Sequence, residues 1–166
     1  RAIASGSYSI QITGKNDATG VALAEIYDAT PSASYIRTTP RLVNVSARTE
    51  VGTGDNILIA GFVIGGTTPV RVLVRAVGPT LGAFSVTGTL ADPRLEILSG
   101  TTRVAENDNW LATDATTFVS VGAFALTAGS RDAALVTALM PGNYTAQISG
   151  IGGTTGVALV EVYELP

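Results

Sequence analysis

Residues 142–164 read GNYTAQISGIGGTTGVALVEVYE and contain two successive strand patterns. Its first half alternates apolar and polar residues with a period of two, which is typical of a strand with one buried face. Its second half, Val157 to Tyr163, is apolar on both faces, so we expect a covering layer on each side of that strand. A short glycine-containing loop joins the halves, and the spacing predicts a β-hairpin.

The same pattern occurs again near the start of the chain. Residues 6–28 read GSYSIQITGKNDATGVALAEIYD, and 12 of these 23 positions are identical to 142–164 without a gap. The offset is 136, so that Tyr8 corresponds to Tyr144 and Glu25 to Glu161. A self-match of this kind indicates a repeat architecture. We therefore expect an N-terminal β-hairpin that repeats the C-terminal one.

The repeat divides the chain into three parts. Residues 1–28 are the predicted hairpin, either the tail of a preceding repeat or an element donated to a neighbour. Residues 29–40, ATPSASYIRTTP, are rich in proline and small hydroxyl residues and are expected to be a linker. Residues 41–166 are then one complete β-sandwich repeat.

Short strand patterns fill the complete repeat, separated by turn signals such as Gly65-Gly66 and Pro141-Gly142. This spacing predicts an all-β fold, an antiparallel β-sandwich of the jelly-roll or immunoglobulin-like type. One short helix is expected within 112–119. The remaining predicted strands are Leu42–Thr49, Ile57–Ile64, Val70–Val77, Arg94–Leu98, Thr102–Glu106 and Ala133–Leu139.

Composition excludes several classes of function. The 166 residues contain no histidine, no cysteine and a single lysine, so an imidazole-assisted nucleophile and the usual zinc ligands are missing. We therefore predict that the protein is not an enzyme and requires no cofactor. The net charge of −3 comes without a basic patch, which argues against nucleic acid as a partner. The longest uncharged apolar stretch, Ile57–Ile64, is far shorter than a bilayer span, so no membrane insertion is expected.

Several segments resemble a known family. DPRLEILSG from Asp92, AENDNW at 105–110, LMPGNYTAQISG and TTGVALVEVY follow one another as in the bacterial pre-peptidase C-terminal domain, a β-sandwich. The match covers roughly Asp92 to Tyr163. Upstream, GFVIGG and VLVRAVGPTL look like the longer repeat units of large secreted bacterial surface proteins. The resemblance implies an extracellular, calcium-tolerant, non-catalytic module.

The polar turn in AENDNW is the candidate metal site, because calcium prefers clustered carboxylate and amide oxygens. In the resembled family a related turn can bind calcium, but here Asn109 replaces the second acidic residue often found there, which lowers the expected affinity. The alternative is a turn stabilised by Asn and Asp side chains alone. The candidate ligands are Asp92, Glu106, Asn107, Asp108 and Asn109.

Three other features of the sequence lead to expectations about single residues. Asn44 and Asn143 each begin an Asn-X-Ser/Thr sequon and are candidate glycosylation sites, although Asn143 corresponds to Ser7 and so is not part of the repeat. Arg71 and Arg75 share one strand face, where arginines pair with outer-face acids more often than they grip an anionic ligand. Trp110 is expected to plug one end of the core rather than to stack on a sugar.

A lone hairpin is marginally stable in water, so residues 1–28 need another sheet. We expect an extracellular structural protein, a subunit or repeat unit of a bacterial surface filament assembled head to tail by β-strand addition, with copies of itself as partners. The alternative is a non-catalytic, calcium-assisted adhesion module of a secreted hydrolase or large adhesin that binds polysaccharide or a cell surface. The predicted polymerisation interface is Tyr8, Ile10, Ile12, Val21, Leu23, Ile26 and Tyr27.

Overall fold

A computed structural model describes residues 4–36 and 38–166. The chain divides between Leu42 and Val43 into two units. The second unit contains eight strands, one more than a β-sandwich of constant immunoglobulin type. Their bounds are β1 Asn44–Val51, β2 Leu58–Ile64, β3 Val70–Val77, β4 Pro93–Ser99, β5 Thr102–Asn107, β6 Ala133–Leu139, β7 Gly142–Gly150 and β8 Gly156–Glu164.

Helical structure is limited to short pieces. The helix α1 spans Ala115–Ser120 and confirms the helix expected within 112–119. Among residues 4–36 and 38–166, no helix is long and apolar enough to cross a membrane. The 3-10 turns are Lys15–Asp17, Ser32–Ser34, Pro79–Phe84, Ala112–Asp114 and Ile151–Gly153.

The eight strands form two antiparallel four-stranded sheets, which confirms the predicted all-β sandwich. Sheet 1 has the order β1-β8-β3-β6 and sheet 2 the order β2-β7-β4-β5. The pairs β1/β8, β2/β7, β3/β6 and β4/β5 are therefore nested, as in a long hairpin that has been rolled up. This nesting is the jelly-roll arrangement, so the immunoglobulin-like alternative is wrong.

The predicted C-terminal hairpin is also wrong. The strand β7 pairs with β2 and β4 in sheet 2, whereas β8 pairs with β1 and β3 in sheet 1. Residues 142–164, here called the C-terminal arch, thus cross from one sheet to the other. The sequence of two strands joined by a short glycine loop is the same whether the strands pair as a hairpin or cross over a core as an arch. The nested strand pairs of a jelly roll require the arch.

Both faces of sheet 1 are covered, as the two-sided apolar pattern of β8 predicts. The inner core between the sheets includes Val74, Ile97 and Val160, each 0% exposed. A second cluster lies on the outer face of sheet 1, where loop residues pack against β3, β6 and β8. It comprises Leu73, Val77, Leu81, Phe118, Ala123, Leu126, Ala134, Tyr163 and Leu165.

The first unit has no strand within residues 4–36, so the predicted N-terminal hairpin is wrong there; residues 1–3 lie outside the described residues. Residues 6–28 are here called the N-terminal segment. Its halves form no strand and do not pair with each other. Within the predicted linker 29–40, the structure shows the turn Ser32–Ser34, and Arg37 lies outside the described residues.

Candidate functional site

A buried ion pair anchors the loops to the outer face of sheet 1. Arg75 on β3 is 0% exposed. Its Nε donates to Glu161 Oε2 over 2.8 Å, its Nη2 donates to the same oxygen, and its Nη1 donates to the Phe124 carbonyl over 2.6 Å. The guanidinium also lies over the rings of Phe124 and Phe118, 4.4 and 4.9 Å from their centroids. Arg75 thus pairs with an acid on an outer face, as expected, but the loops bury the pair.

The second oxygen of Glu161 is also engaged. Its Oε1 accepts a hydrogen bond from the Tyr163 hydroxyl over 2.7 Å. Burial, together with this bond to a carboxylate, raises the pKa of Tyr163 well above its ordinary value. The hydroxyl therefore remains a donor. Because the ion pair is enclosed and its hydrogen bonds are satisfied, its role is to fix the loop layer in place.

A second buried network surrounds Asp132, which is 0% exposed. Its Oδ1 accepts from the Gly78 amide over 2.7 Å, and its Oδ2 accepts from the hydroxyls of Thr80 and Ser130. Ser130 in turn accepts from Trp110 Nε1 over 3.1 Å. Trp110 is half-buried against the loop cluster, in agreement with its expected role as a plug.

Sequence reasoning missed Glu161 and Asp132 as organising residues. One signal was available for Glu161, since an acid stands in the middle of an otherwise apolar strand in both copies of the repeat. Such a charge indicates a buried partner. Nothing comparable marks Asp132, because Gly78 and Thr80, which donate to it, lie 54 and 52 residues away in the sequence.

The structure places the candidate calcium ligands at one end of β4 and β5, mostly with other partners. Glu106 on β5 contacts Arg94 over 2.6 Å and Arg103 over 3.0 Å. The hydrogen bond from Arg94 lowers the pKa of Glu106, and the same bond raises the pKa of Arg94. Asn107 Oδ1 accepts from the Ala134 amide over 3.1 Å.

Asp92 lies one residue before β4, and its Oδ2 accepts from Arg131 over 2.8 Å. Its buried Oδ1 has no hydrogen-bond partner among the described residues. Asp108 and Asn109 lie in the bend after β5. Within residues 4–36 and 38–166, no three acidic side chains form a metal-binding group. This arrangement does not form a calcium shell as it stands, and calcium binding at the turn stays a prediction.

The two candidate glycosylation sites lie on strands. Asn44 begins β1, is exposed, and donates to the Val162 carbonyl over 3.1 Å. Asn143 is exposed on β7 opposite Val63. Glycosylation at either residue stays a prediction.

The predicted polymerisation interface is exposed throughout. Val21 is 100% exposed, Leu23 82% and Tyr27 78%, whereas their counterparts in the C-terminal arch are buried or half-buried. The other four predicted residues are between 49% and 67% exposed: Tyr8, Ile10, Ile12 and Ile26.

The N-terminal segment nevertheless has the local shape of the C-terminal arch. The Tyr8 hydroxyl donates to the Ala4 carbonyl over 2.8 Å, and the equivalent Tyr144 hydroxyl donates to the Met140 carbonyl over 2.9 Å. The 3-10 turns Lys15–Asp17 and Ile151–Gly153 also occupy equivalent positions. The short-range contacts of the arch are therefore present in the N-terminal segment without the sheets.

Comparison with known proteins adds a similarity of fold. No protein-family description matches the chain, and no curated protein matches it. Among solved structures, the chain is similar to the pre-peptidase C-terminal domain of the collagenase from Bacillus anthracis, with a TM-score of 0.44 and 9% sequence identity. The match covers 72% of this chain and 89% of that domain.

Proposed function

We propose that this protein is a non-catalytic structural module of an extracellular filament or array, in which sandwiches of this kind follow one another head to tail. Strands contributed by the N-terminal segment join one sandwich to the next. The observation that carries the proposal is the second copy of the arch sequence, which lies outside any sheet and exposes its apolar side chains.

The exposure of these side chains favours association with a protein surface. Fully burying a valine, leucine or isoleucine contributes about 1.5–3 kcal/mol. The N-terminal segment exposes several such residues in a run of 23, together with backbone groups that no strand partner satisfies within residues 4–36. Exposed apolar side chains that cluster in this way along the chain favour an interaction site.

A contact between an N-terminal segment and the body of another sandwich is heterologous, because two different surfaces meet. Such a contact repeats along a line when its rotation does not close. The same geometry arises whether the neighbouring sandwich is part of one continuous chain or a separate subunit. The extracellular location is supported by the sequence resemblance to repeats of secreted surface proteins.

Immunogold electron microscopy of cells that make the protein tests the proposal. With antibodies raised against the complete chain, we expect label on extended surface structures. Cells that carry Val21→Asp with Leu23→Asp should lose these structures. The matched control, Leu111→Asp with Val119→Asp, changes a leucine and a valine that are 62% and 79% exposed on the sandwich, and the structures should persist. Label confined to the cell interior, or surface structures that survive the Val21/Leu23 change, would contradict the proposal.

A further inference from the structure

We infer that the N-terminal segment is a second arch whose binding partner is a jelly-roll sandwich of this same kind. There it would lie between β1 and β3 in sheet 1 and between β2 and β4 in sheet 2, the positions that β8 and β7 occupy. This inference rests on the proposed function and specifies the contact: in a neighbouring sandwich, the segment takes the place of that sandwich's own C-terminal arch.

The first support is the position of the equivalent strands. Both β7 and β8 are central strands with a neighbour on each side. Addition to the edge of a sheet would use only one half of the N-terminal segment, because its halves match strands of opposite sheets. The second half, Val21 to Tyr27, is apolar on both faces. At the edge of a sheet, the backbone N–H and C=O groups along one of its sides would also stay unpaired. A central position satisfies both halves together.

The second support is an acid without its arginine. The Tyr27 hydroxyl donates to Glu25 Oε1 over 2.8 Å, just as Tyr163 donates to Glu161. Glu161 binds Arg75, but no arginine among the described residues pairs with Glu25. The N-terminal segment therefore presents the acceptor half of the buried ion pair. A sandwich with an arginine at the position of Arg75 supplies the donor half.

The third support is a compensating exchange of volume. Ala146 on β7 and Val160 on β8 are both 0% exposed in the inner core. Their counterparts are Ile10, which is larger, and Ala24, which is smaller. Cores tolerate exchanges that keep the total volume similar. The segment thus carries a core-facing pattern of its own rather than a surface pattern.

The segment can also reach the sandwich of its own chain. The start of β1 pairs with the end of β8, where Asn44 is opposite Tyr163. A segment in the position of β7 and β8 would therefore end beside Asn44, and residues 29–43 extend by roughly 3.3 Å each, which is ample for that connection. The two arches compete for one position, and the C-terminal arch holds it in the structure.

Equivalent isoleucines allow a test in the full-length chain. Ile148 is 0% exposed in the core, and Ile12 is its exposed counterpart. Urea unfolding should be unchanged in Ile12→Asp. Ile148→Asp should disable the C-terminal arch but keep a cooperative transition at a lower midpoint, because the N-terminal segment replaces it. The double variant should have no transition. If Ile148→Asp alone is as unfolded as the double variant, the inference is overturned.

Glu25→Gln provides a second readout. It should lower the urea midpoint in the Ile148→Asp variant and leave the parent chain unchanged, because Glu25 meets Arg75 only after replacement. Equal effects in both chains would count against the inference.

Analytical sedimentation of the Ile148→Asp variant shows where the segment inserts. A monomer indicates insertion into the sandwich of the same chain, and a dimer indicates insertion into a second copy. Both results support the inference. If the replacement succeeds here but cells that make the parent chain show label confined to their interior, the proposed array is rejected and the second-arch inference is kept.

Discussion

The two copies of the arch sequence share 12 of 23 residues and adopt different structures. In the C-terminal arch, Tyr144 and Ile148 are 9% and 0% exposed within two sheets, whereas the equivalent Tyr8 and Ile12 are 59% and 54% exposed and belong to no strand. The loop between the halves and the tyrosine hydrogen bond are alike in both. The difference shows that local sequence specifies the turn, while neighbouring strands make the sheet.

The loop shows how strongly the local part is specified. Gly14 and Gly150 precede equivalent turns, and a Cβ on either would lie within 2.0 Å of the carbonyl oxygen of Ala18 or Thr154 respectively. Only glycine permits this approach. In the N-terminal segment the turn forms without a core, and its backbone hydrogen bond, from the Ala18 amide to the Lys15 carbonyl, spans only three residues.

Hydrogen exchange should show the largest difference between the copies. Amides of residues 145–148 and 157–163 belong to ladders inside the sandwich, and those of 9–12 and 21–27 do not. We expect the first set to exchange at least about a thousandfold more slowly, since core strands open only with free energies near that of global unfolding. Mass spectrometry of peptic fragments measures this ratio. Similar protection in both sets would mean that the N-terminal segment already lies in a sheet.

Removal of Arg75 should have the next largest effect. Arg75→Ala leaves Glu161 buried without its cation, which typically costs about 3–5 kcal/mol of unfolding free energy. Both arches need this arginine, so the N-terminal segment cannot compensate. Glu25→Ala, at the position equivalent to Glu161, should change the free energy by less than about 0.5 kcal/mol. Urea unfolding measures both, and a loss below about 1 kcal/mol for Arg75→Ala would show that the pair is dispensable.

Substitution of equivalent glycines should give a smaller difference in stability between the two copies. A Cβ on Gly156 would lie 2.7 Å from the Gly88 carbonyl oxygen, whereas a Cβ on Gly20 would meet nothing within 4 Å. We expect Gly156→Ala to cost about 1–3 kcal/mol, as overpacking usually does. Gly20→Ala should have little effect. Thermal unfolding of the two variants side by side measures the difference, and equal melting temperatures would refute it.

The smallest expected difference between the two regions lies in how unfolding changes the lowered pKa values of two carboxyl groups. Arg94 on a neighbouring strand lowers the pKa of Glu106, whereas the hydroxyl and amide of Thr30 lower that of Asp28 within the N-terminal segment. Glu106 stabilises the fold above its ordinary pKa, and this contribution is lost as the pH falls through the lowered value. An NMR titration in urea should give Glu106 its ordinary pKa. The pKa of Asp28 should stay largely as it is in the folded chain. A Glu106 pKa that stays lowered in urea would contradict this.

Much of the sandwich follows from period-two alternation and turn residues. Both β3 and β6 have the predicted bounds, Val70–Val77 and Ala133–Leu139, because apolar patterns and glycine or proline punctuation mark their ends. The two-sided apolar pattern of β8 also correctly predicts a covering layer. These properties depend on residues close in sequence.

The errors concern properties that depend on distant residues. Whether β7 and β8 pair or arch is decided by β1 to β4, which lie far away in the chain. The candidate calcium ligands Glu106 and Asn107 have other partners because strand register places Arg94 and the Ala134 amide beside them. A cluster of polar residues in the sequence does not reveal which of their side-chain oxygens already have partners in the fold.

A disulfide trap tests most directly whether the N-terminal segment is a replacement arch. The chain has no cysteine, and Val157 is opposite Glu50 in the β1/β8 ladder. Opposed antiparallel residues have Cα atoms about 4.5–5.5 Å apart, within disulfide range. Val157→Cys with Glu50→Cys in the parent chain is the reference.

The decisive measurement is the yield of oxidised product when Val21→Cys and Glu50→Cys are combined with Ile148→Asp. We expect a yield close to that of the reference, because Val21 then occupies the position of Val157. A yield no greater than that of Val21→Cys with Val119→Cys, two exposed positions that the replacement does not bring into register, would contradict it.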